Sequence, residues 1–235
     1  MINNIKSANI RMLQFIAEKL GGLRSELVFL GGCTTAIFID EPSAPDVRYT
    51  LDVDCIVDVI SLNQYHKIEK QLRNLGFTQS VMEEVICRWR YDNVILDVMP
   101  TDEKILGFWN RWYREAIKYA MNYSLTNKIS IKVISAPYFL ATKIEAFKTR
   151  GNTDFYASHD FEDIVTVLDG RSTIVDEIEK INPTLRHYLV KEFDSFMSHP
   201  SFSGALPGHF VQYGKLAEDR VEFCEQKLKS IISNT

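Results

Sequence analysis

Two stretches of this 235-residue chain decide its fold: VFLGGCT (Val28–Thr34) and RYTLDVD (Arg48–Asp54). The first joins an apolar run to two glycines, which indicates a buried strand that ends in a tight turn. The second continues to about residue 60 and alternates aspartates with apolar residues, a period-two pattern that predicts a strand with one apolar face. Because side chains two residues apart on a strand point to the same side, Asp52 and Asp54 should lie next to each other.

Paired carboxylates of this kind are typical of a metal site. Two like charges held side by side repel each other unless a cation lies between them. Hard divalent cations such as Mg²⁺ or Mn²⁺ take oxygen ligands and keep substrate phosphates in their coordination shell. A third carboxylate, Asp97, is flanked by apolar residues in the predicted strand 94–99, where a lone charge would be costly to bury unless it were paired or bound to a metal. We therefore expect Asp52, Asp54 and Asp97 to be metal ligands.

The glycine turn suits an anion. Without Cβ atoms, Gly31 and Gly32 allow backbone N–H groups to approach a phosphate closely, and Thr34 adds a hydroxyl near a predicted helix N terminus. Each feature also has an ordinary explanation, as a simple turn, the solvent-facing side of a strand or a strand edge. The order of the features along the chain favours a functional interpretation.

The remaining patterns predict an α+β protein. In the first part we expect a strand over 27–30, a strand hairpin around Asp92-Asn93 and a strand over 129–134, with helices over 5–20, 34–39, 62–75 and 103–123 and a loop over 41–48. Later segments are predicted as helices over 137–148, 160–169, 172–181, 184–197 and the C terminus, with a loop over 198–210. This gives an N-terminal α/β domain over 1–135, a mixed sheet with flanking helices, and an all-α domain over 136–235.

These motifs together resemble a known superfamily. A strand, a Gly-Gly turn, Asp-x-Asp on the next strand and a later lone Asp resemble the polymerase-β-like nucleotidyltransferase fold. Nineteen residues separate Gly32 from Asp52, more than in the compact superfamily motif. This longer gap and its Arg-x-Thr-x-Asp-x-Asp ending resemble the AbiEii/AbiGii-type nucleotidyltransferase toxins. The segment APYFLATKIEAF (136–147) resembles their lysine-bearing helix, and SHDFEDI (158–164), after Arg150-Gly151, resembles their Asp-x-x-Asp helix.

The resemblance, which covers roughly residues 25–170, implies an enzyme that transfers a nucleotide from an NTP to an acceptor, with Mg²⁺ or Mn²⁺ as cofactor. It also implies roles for individual residues. The triphosphate would be held by Gly31, Gly32, Thr34 and Arg48, and its charge would be neutralised by Lys143 of the helical domain, which completes the NTP site. Asp97 would also act as base on the acceptor hydroxyl. Either Asp160 or Asp163, which share one helix face, would orient Lys143 or contact the nucleotide.

The family further implies a biological role. The acceptor would be RNA, such as tRNA, or a protein hydroxyl, and the protein would be the toxin of a toxin–antitoxin or phage-defence system with a cognate antitoxin protein. Two alternatives remain open. One is a small-molecule nucleotidyltransferase of the antibiotic-modifying kind, and the other is a non-catalytic module of the same fold that binds a nucleotide or a partner.

Charge is unevenly distributed along the chain. The net charge of −4 excludes a uniform polycation that binds nucleic acid through bulk charge. Residues 104–150 nevertheless carry +7, so the rest carries −11. Aromatic residues are interleaved with these cations, a combination that suits an RNA acceptor or the base of the NTP: Trp109, Trp112, Tyr113, Tyr119, Tyr123, Tyr138 and Phe139. Arg88 and Arg90 share a strand face and could contribute, although a solvated basic surface over a core of aromatics explains the pattern equally well.

The compartment is also indicated by the sequence. No apolar run approaches the ~20 residues that a membrane-spanning helix needs, and the polar start predicts no secretory signal. The four cysteines lie in apolar runs without a metal-binding spacing, which favours buried thiols in a reducing compartment. We therefore expect a cytoplasmic protein that does not bind membranes.

Overall fold

The structure, a computed structural model, describes residues 5–44, 46–79, 85–107 and 110–233, and only the backbone of 211–213 and 215. Within this part the chain is α+β, with a mixed six-stranded sheet and flanking helices. It divides into two units: residues 1–36 with 46–135, and residues 37–45 with 136–235. Segment 37–45 was expected in the first domain. It belongs to the second unit, where the N–H groups of Asp40 and Glu41 donate to the Gly170 carbonyl over 3.0 Å each.

All six strands lie in the first unit, in the order β3-β4-β2-β1-β6-β5. Strand β1 pairs antiparallel with β2 and parallel with β6, and β2 pairs parallel with β4. The outer pairs β3–β4 and β5–β6 are antiparallel hairpins. The strands are β1 Leu27–Leu30, β2 Asp52–Val57, β3 Arg88–Tyr91, β4 Val94–Pro100, β5 Met121–Ser124 and β6 Ser130–Val133.

Among the described residues, five α-helices belong wholly or partly to the first unit: α1 Ile5–Leu20, α2 Thr35–Phe38, α3 Leu62–Asn74, α4 Glu103–Leu106 and α5 Tyr113–Lys118. Helix α1 buries one stripe of side chains at helical spacing, including Leu13, Ile16 and Leu20. Helix α3 begins after Ser61, whose hydroxyl accepts from the N–H of Gln64, a standard N-cap. The central strand β1 is buried on both faces, as its uninterrupted apolar sequence predicts.

The second unit is helical over its described residues. Its helices are α6 Ala136–Thr149, α7 His159–Gly170, α8 Ile174–Lys180, α9 Pro183–Ser198, α10 Phe202–Ala205 and α11 Ala217–Ser233. Its core contains a cluster of phenylalanines in edge and tilted contact, with ring centroids 4.9–6.1 Å apart: Phe147, Phe155, Phe161, Phe196 and Phe202. This cluster fixes α6, α7 and the loop between them.

Two element predictions were wrong. In the described part of the helix predicted over 103–123, the chain forms two short helices and then enters strand β5. This strand forms through pairing with β6, which local periodicity does not report. The loop predicted over 198–210 contains α10 and the start of a 3-10 segment, Leu206–Leu216. Burial of Phe202 and Leu206 explains this helical structure, since their apolar contacts offset the weak local propensity.

Two other expectations concern the environment of the chain. All four cysteines are buried and none forms a disulfide, as predicted. Among the described residues, no helix combines the length and the apolar character needed to cross a bilayer.

Candidate active site

Three aspartates meet on neighbouring strands of the sheet. Strands β2 and β4 run parallel with Asp54 directly beside Asp97, and Asp52 lies two residues away on the same side of β2. One carboxylate oxygen from each residue lies within 4.8 Å of the others. Asp97 is buried, whereas Asp52 and Asp54 are half-buried. The structure therefore brings together the three predicted metal ligands, which we call the aspartate triad.

The glycine turn lies against this triad. Leu30, the last residue of β1, pairs with Asp54, so the turn that starts at Gly31 begins beside the Asp54 carboxylate. Gly31 has φ +79° and ψ −175°, a conformation that only glycine adopts without strain. A Cβ atom at this position would lie 2.6 Å from Cγ of Asp54. Glycine is thus required here both by the backbone and by the aspartate.

Arg48 and Thr34 complete the turn in different ways. The guanidinium of Arg48 packs over Gly32, where an added Cβ would lie 3.1 Å from its Cζ atom. Thr34 is fully buried and its hydroxyl donates to the Gly31 carbonyl over 2.8 Å. The hydroxyl of Thr34 therefore stabilises the turn, and a direct contact of this side chain with a triphosphate would require it to leave that bond.

Arg88 forms a two-point ion pair with Asp97. Its Nε donates to Oδ1 over 2.9 Å and its Nη2 donates to Oδ2 over 2.7 Å. The side chains are 22% and 9% exposed, so the pair is only partly screened by solvent. Sequence analysis assigned Arg88 to a possible RNA contact, but in the structure its guanidinium binds the third carboxylate of the triad.

Two cysteines next to the triad are held as thiols. Burial raises the pKa of Cys33 strongly, and the negative charge of Asp54 raises it further. The same two causes, burial first and Asp54 second, raise the pKa of Cys55. Since a protonated thiol is a poor metal ligand, the donors of this site are carboxylate oxygens. An oxygen-only donor set fits Mg²⁺ or Mn²⁺ better than zinc.

The second unit contains a separate cluster of charges around Lys143. The Lys143 ammonium lies 3.0 Å from Oδ1 of Asp160 and 2.6 Å from Oδ2 of Asp163. Arg150 donates to both oxygens of Asp160 over 2.9 Å each, although 72% of its side chain is exposed. Sequence analysis left the choice between Asp160 and Asp163 open. Both contact Lys143, as their i, i+3 spacing on α7 allows.

The electrostatics of this cluster favour the charged form of Asp160. Burial alone would raise the pKa of Asp160, but the hydrogen bonds from Arg150 and the positive charge of Lys143 outweigh it and hold that pKa well below its ordinary value. Lys143 itself is only 5% exposed. Its ammonium is therefore already paired with two aspartates, and a triphosphate would have to reach a buried cation in order to bind it.

The basic stretch 104–150 is divided between the two units. Six of its cations are exposed in the first unit: Lys104, Arg111, Arg114, Lys118, Lys128 and Lys132. Of the aromatics expected to stack on bases, Trp112, Tyr138 and Phe139 are buried in the cores, so the core interpretation is right for these three. Tyr119 is half-exposed at 51%, and Trp109 lies outside the described residues.

Comparison with known proteins adds no relatives. No protein-family model matches the chain, and neither does any curated protein. The resemblance to the AbiEii/AbiGii-type toxins therefore depends on the motifs quoted above.

Two functional candidates were misjudged from the sequence. Arg88 could have been found from the predicted turn, because a two-residue turn at Asp92-Asn93 places Arg88 directly opposite Asp97, the register that the structure shows. Arg150 was counted in the basic stretch and quoted in the resemblance, but it was given no contact with Asp160. Its contact with Asp160 depends on the loop 151–158, whose course no local pattern predicts.

Proposed function

We propose that this protein is a metal-dependent nucleotidyltransferase with a polymerase-β-like fold, similar to the AbiEii/AbiGii-type toxins. It would transfer a nucleoside monophosphate from an NTP to an acceptor hydroxyl. The observation that carries the proposal is the aspartate triad beside the Gly31-Gly32 turn, three oxygen donors within 4.8 Å of one another next to a backbone that leaves no space for a side chain.

The residues of the triad fit a hard divalent cation. Their donors are all carboxylate oxygens on rigid neighbouring strands, and two of the three residues are accessible to solvent. A Mg²⁺ or Mn²⁺ ion held by Asp52, Asp54 and Asp97 would supply charge neutralisation and activation of the acceptor hydroxyl. The Gly31-Gly32 backbone and the Arg48 guanidinium would bind and orient the phosphates.

The reaction is an in-line phosphoryl displacement. The acceptor oxygen forms a bond to the α-phosphorus while the bond from that phosphorus to the bridging oxygen of the β-phosphate breaks. Pyrophosphate leaves, and the hydroxyl proton is lost to a base, a role for which Asp97 is our candidate. The protein's part is mainly positioning and charge stabilisation.

The Lys143 cluster would contribute through its charges. Asp160 and Asp163 hold Lys143 in one position, and Arg150, which is anchored on Asp160 yet largely exposed, offers a cation to an anionic substrate. We propose Asp160 and Asp163 as positioning residues for Lys143, and Lys143 and Arg150 as cations that would bind an anionic substrate.

RNA is our first choice of acceptor. Six exposed cations from the stretch 104–132 suit contacts with a phosphate backbone, and Tyr119 offers an exposed ring. An antibiotic-type acceptor is a polyamine and would be expected to meet acidic surroundings instead. Toxicity in the cytoplasm and neutralisation by a cognate antitoxin protein belong to the same proposal.

The test is transfer of label from α-³²P NTPs to total RNA in the presence of Mg²⁺. We expect labelled RNA with the wild type and at least about a hundredfold less with Asp54→Asn, since removal of one metal ligand or charge-stabilising group typically costs that much. Asp92→Asn is the matched control, because Asp92 lies in the exposed hairpin turn at φ +51°, a conformation that asparagine also tolerates.

Other outcomes separate the alternatives. Labelling of aminoglycosides but not of RNA would favour the small-molecule enzyme. If calorimetry with Mg²⁺ detects no NTP binding, and neither acceptor is labelled, the non-catalytic module becomes the better description. Equal labelling by wild type and Asp54→Asn would refute a role for the triad.

A further inference from the structure

The hairpin β3–β4 fixes Arg88 opposite the third carboxylate of the triad. The two-residue turn at Asp92-Asn93 sets a register in which Tyr91 pairs with Val94 and, three positions further, Arg88 pairs with Asp97. Directly paired residues of antiparallel strands place their side chains on the same face, a few ångströms apart. The backbone register therefore brings the side chains of Arg88 and Asp97 into contact, and this contact does not depend on the conformation of a flexible surface side chain.

The pair occupies both oxygens of Asp97. Nε and Nη2 of Arg88 each donate to a different oxygen, at 2.9 and 2.7 Å, the two-point geometry that gives the strongest ion pairs. Both side chains are largely withdrawn from solvent, 22% and 9% exposed. Breaking such a pair without replacing the positive charge would leave a buried, uncompensated carboxylate.

Asp97 thus belongs to two groups at once. It pairs with Arg88 on one side, and on the other its oxygen lies within 4.8 Å of oxygens of Asp52 and Asp54. A divalent cation coordinated by all three aspartates would lie close to the guanidinium, and two positive charges on one carboxylate repel each other. The cation and Arg88 cannot both be bound at full strength.

We propose that the Arg88 guanidinium competes with the divalent cation for Asp97, so that Arg88 sets the cation concentration at which the triad is filled. This inference rests on the proposed function, because it assumes that the triad is the metal site. Asp97 is the most buried ligand and the one that the arginine holds. Each carboxylate oxygen has a second lone pair that a cation can use, so the competition acts through charge repulsion, and filling the site weakens the hydrogen bonds from Arg88 to Asp97.

The first arm measures cation binding directly. Free Mn²⁺ is counted by electron paramagnetic resonance during titration of the wild type, Arg88→Gln and Arg90→Gln. Arg90 is the matched control, since it lies on the same strand and face but pairs with Ile95 and is exposed. We expect Arg88→Gln to bind Mn²⁺ at least about tenfold more tightly, equivalent to about 1.4 kcal/mol, and Arg90→Gln to change binding by less than about threefold. Unchanged or weaker binding by Arg88→Gln would overturn the competition.

The second arm titrates the wild type and needs a variant, Arg88→Lys, only to assign one signal, so it remains valid if Arg88→Gln does not fold. The Nε–H signal of Arg88 is identified in nitrogen-15 NMR spectra by its loss in Arg88→Lys, and is followed during titration with diamagnetic Mg²⁺. Competition predicts that this signal shifts or broadens with the same midpoint as Mg²⁺ binding, measured by displacement of Mn²⁺.

The outcomes distinguish the inference from the proposed function. If Mg²⁺ saturates the wild type and the Arg88 signal does not move, Arg88 is not displaced, and the competition is wrong while the metal site stands. If neither the wild type nor Arg88→Gln binds Mn²⁺ or Mg²⁺ in the millimolar range, the triad is not a metal site, and both proposals fail.

Discussion

Replacing Gly31 with alanine should destabilise the first unit strongly, and two separate costs can be worked out from the structure. The first is backbone strain, because φ +79° with ψ −175° lies in a region that is essentially reserved for glycine, and a residue held there costs about 1–3 kcal/mol. The second is a clash, since the new Cβ would lie 2.6 Å from Cγ and 2.8 Å from Cβ of Asp54. Such overpacking costs about 1–3 kcal/mol.

The sum, about 2–6 kcal/mol, is a large fraction of the 5–15 kcal/mol that typically stabilises a domain. Urea unfolding followed by tryptophan fluorescence is a suitable assay, because the two tryptophans that the structure describes, Trp89 and Trp112, are buried in the first unit. Gly107→Ala is the control for strain alone. Gly107 has φ +77° but nothing lies within 4 Å of an added Cβ, so about 1–2 kcal/mol is expected.

A double-mutant cycle isolates the part of the clash that the Asp54 carboxylate causes. In an Asp54→Ala background the carboxylate is gone and only the Cβ of residue 54 remains near the new Cβ, so Gly31→Ala should cost at least about 1 kcal/mol less than it does in the wild type. If the two substitutions are additive within about 0.5 kcal/mol, Gly31 does not support Asp54, and the structural argument for the turn is refuted.

Three further predictions concern the second unit. Lys143→Met should lower the free energy of unfolding by about 3–5 kcal/mol, because two buried carboxylates lose a shared cation. Thermal unfolding followed by circular dichroism measures this loss. A loss below about 1 kcal/mol would contradict the ion pairs of Lys143 with Asp160 and Asp163. The depressed pKa of Asp160 means that its ion pairs stabilise the fold above about pH 4 and lose that effect as the pH falls through the folded-state pKa. The difference in unfolding free energy between wild type and Asp160→Asn should therefore shrink from pH 7 to pH 3. A difference that stays constant would be inconsistent with the lowered pKa. Lys227→Ala should lower the free energy of unfolding by about 2–3 kcal/mol. The reason is that the ammonium donates to the carbonyls of Leu168, Asp169 and Arg171 at the end of α7 over 2.8–3.0 Å. The same thermal unfolding experiment measures this loss, and an unchanged midpoint would show that solvent replaces these hydrogen bonds.

The parts of the fold that could be predicted are those with a strong local pattern. The apolar run of β1, the alternation in β2 and the stripe of α1 each report burial directly, and the Asp92-Asn93 pair indicated the hairpin. Strand β5 was missed because its four residues, Met-Asn-Tyr-Ser, are mostly exposed and carry no alternation. Its structure comes from pairing with β6.

The residues of the candidate site also divide into those that a local pattern predicts and those that depend on contacts between distant parts of the chain. Asp52 and Asp54 could be placed together because side chains two residues apart on a strand point to the same side. Asp97 could be assigned as the third carboxylate from the order of the predicted strands alone. The partner of Asp97 required the hairpin register, and the partner of Asp160 required the path of a loop. The sequence patterns therefore misassigned Arg88 and Arg150, whose contacts depend on a reversal of the chain. Of these two contacts, that of Arg88 followed from the hairpin turn that was already predicted.

Two positions of the radioactive label on the NTP distinguish nucleotidyl transfer from the other reactions that an NTP could undergo. The purified protein is incubated with Mg²⁺, total RNA and an NTP mixture labelled either in the α-phosphate or in the γ-phosphate. A nucleotidyltransferase keeps the α-phosphate on the acceptor and releases the other two as pyrophosphate, so we predict labelled acceptor from the α-label alone. Transfer of the γ-label would show a kinase-type reaction, and no transfer of either label to RNA, small molecules or the protein itself would contradict the proposed activity.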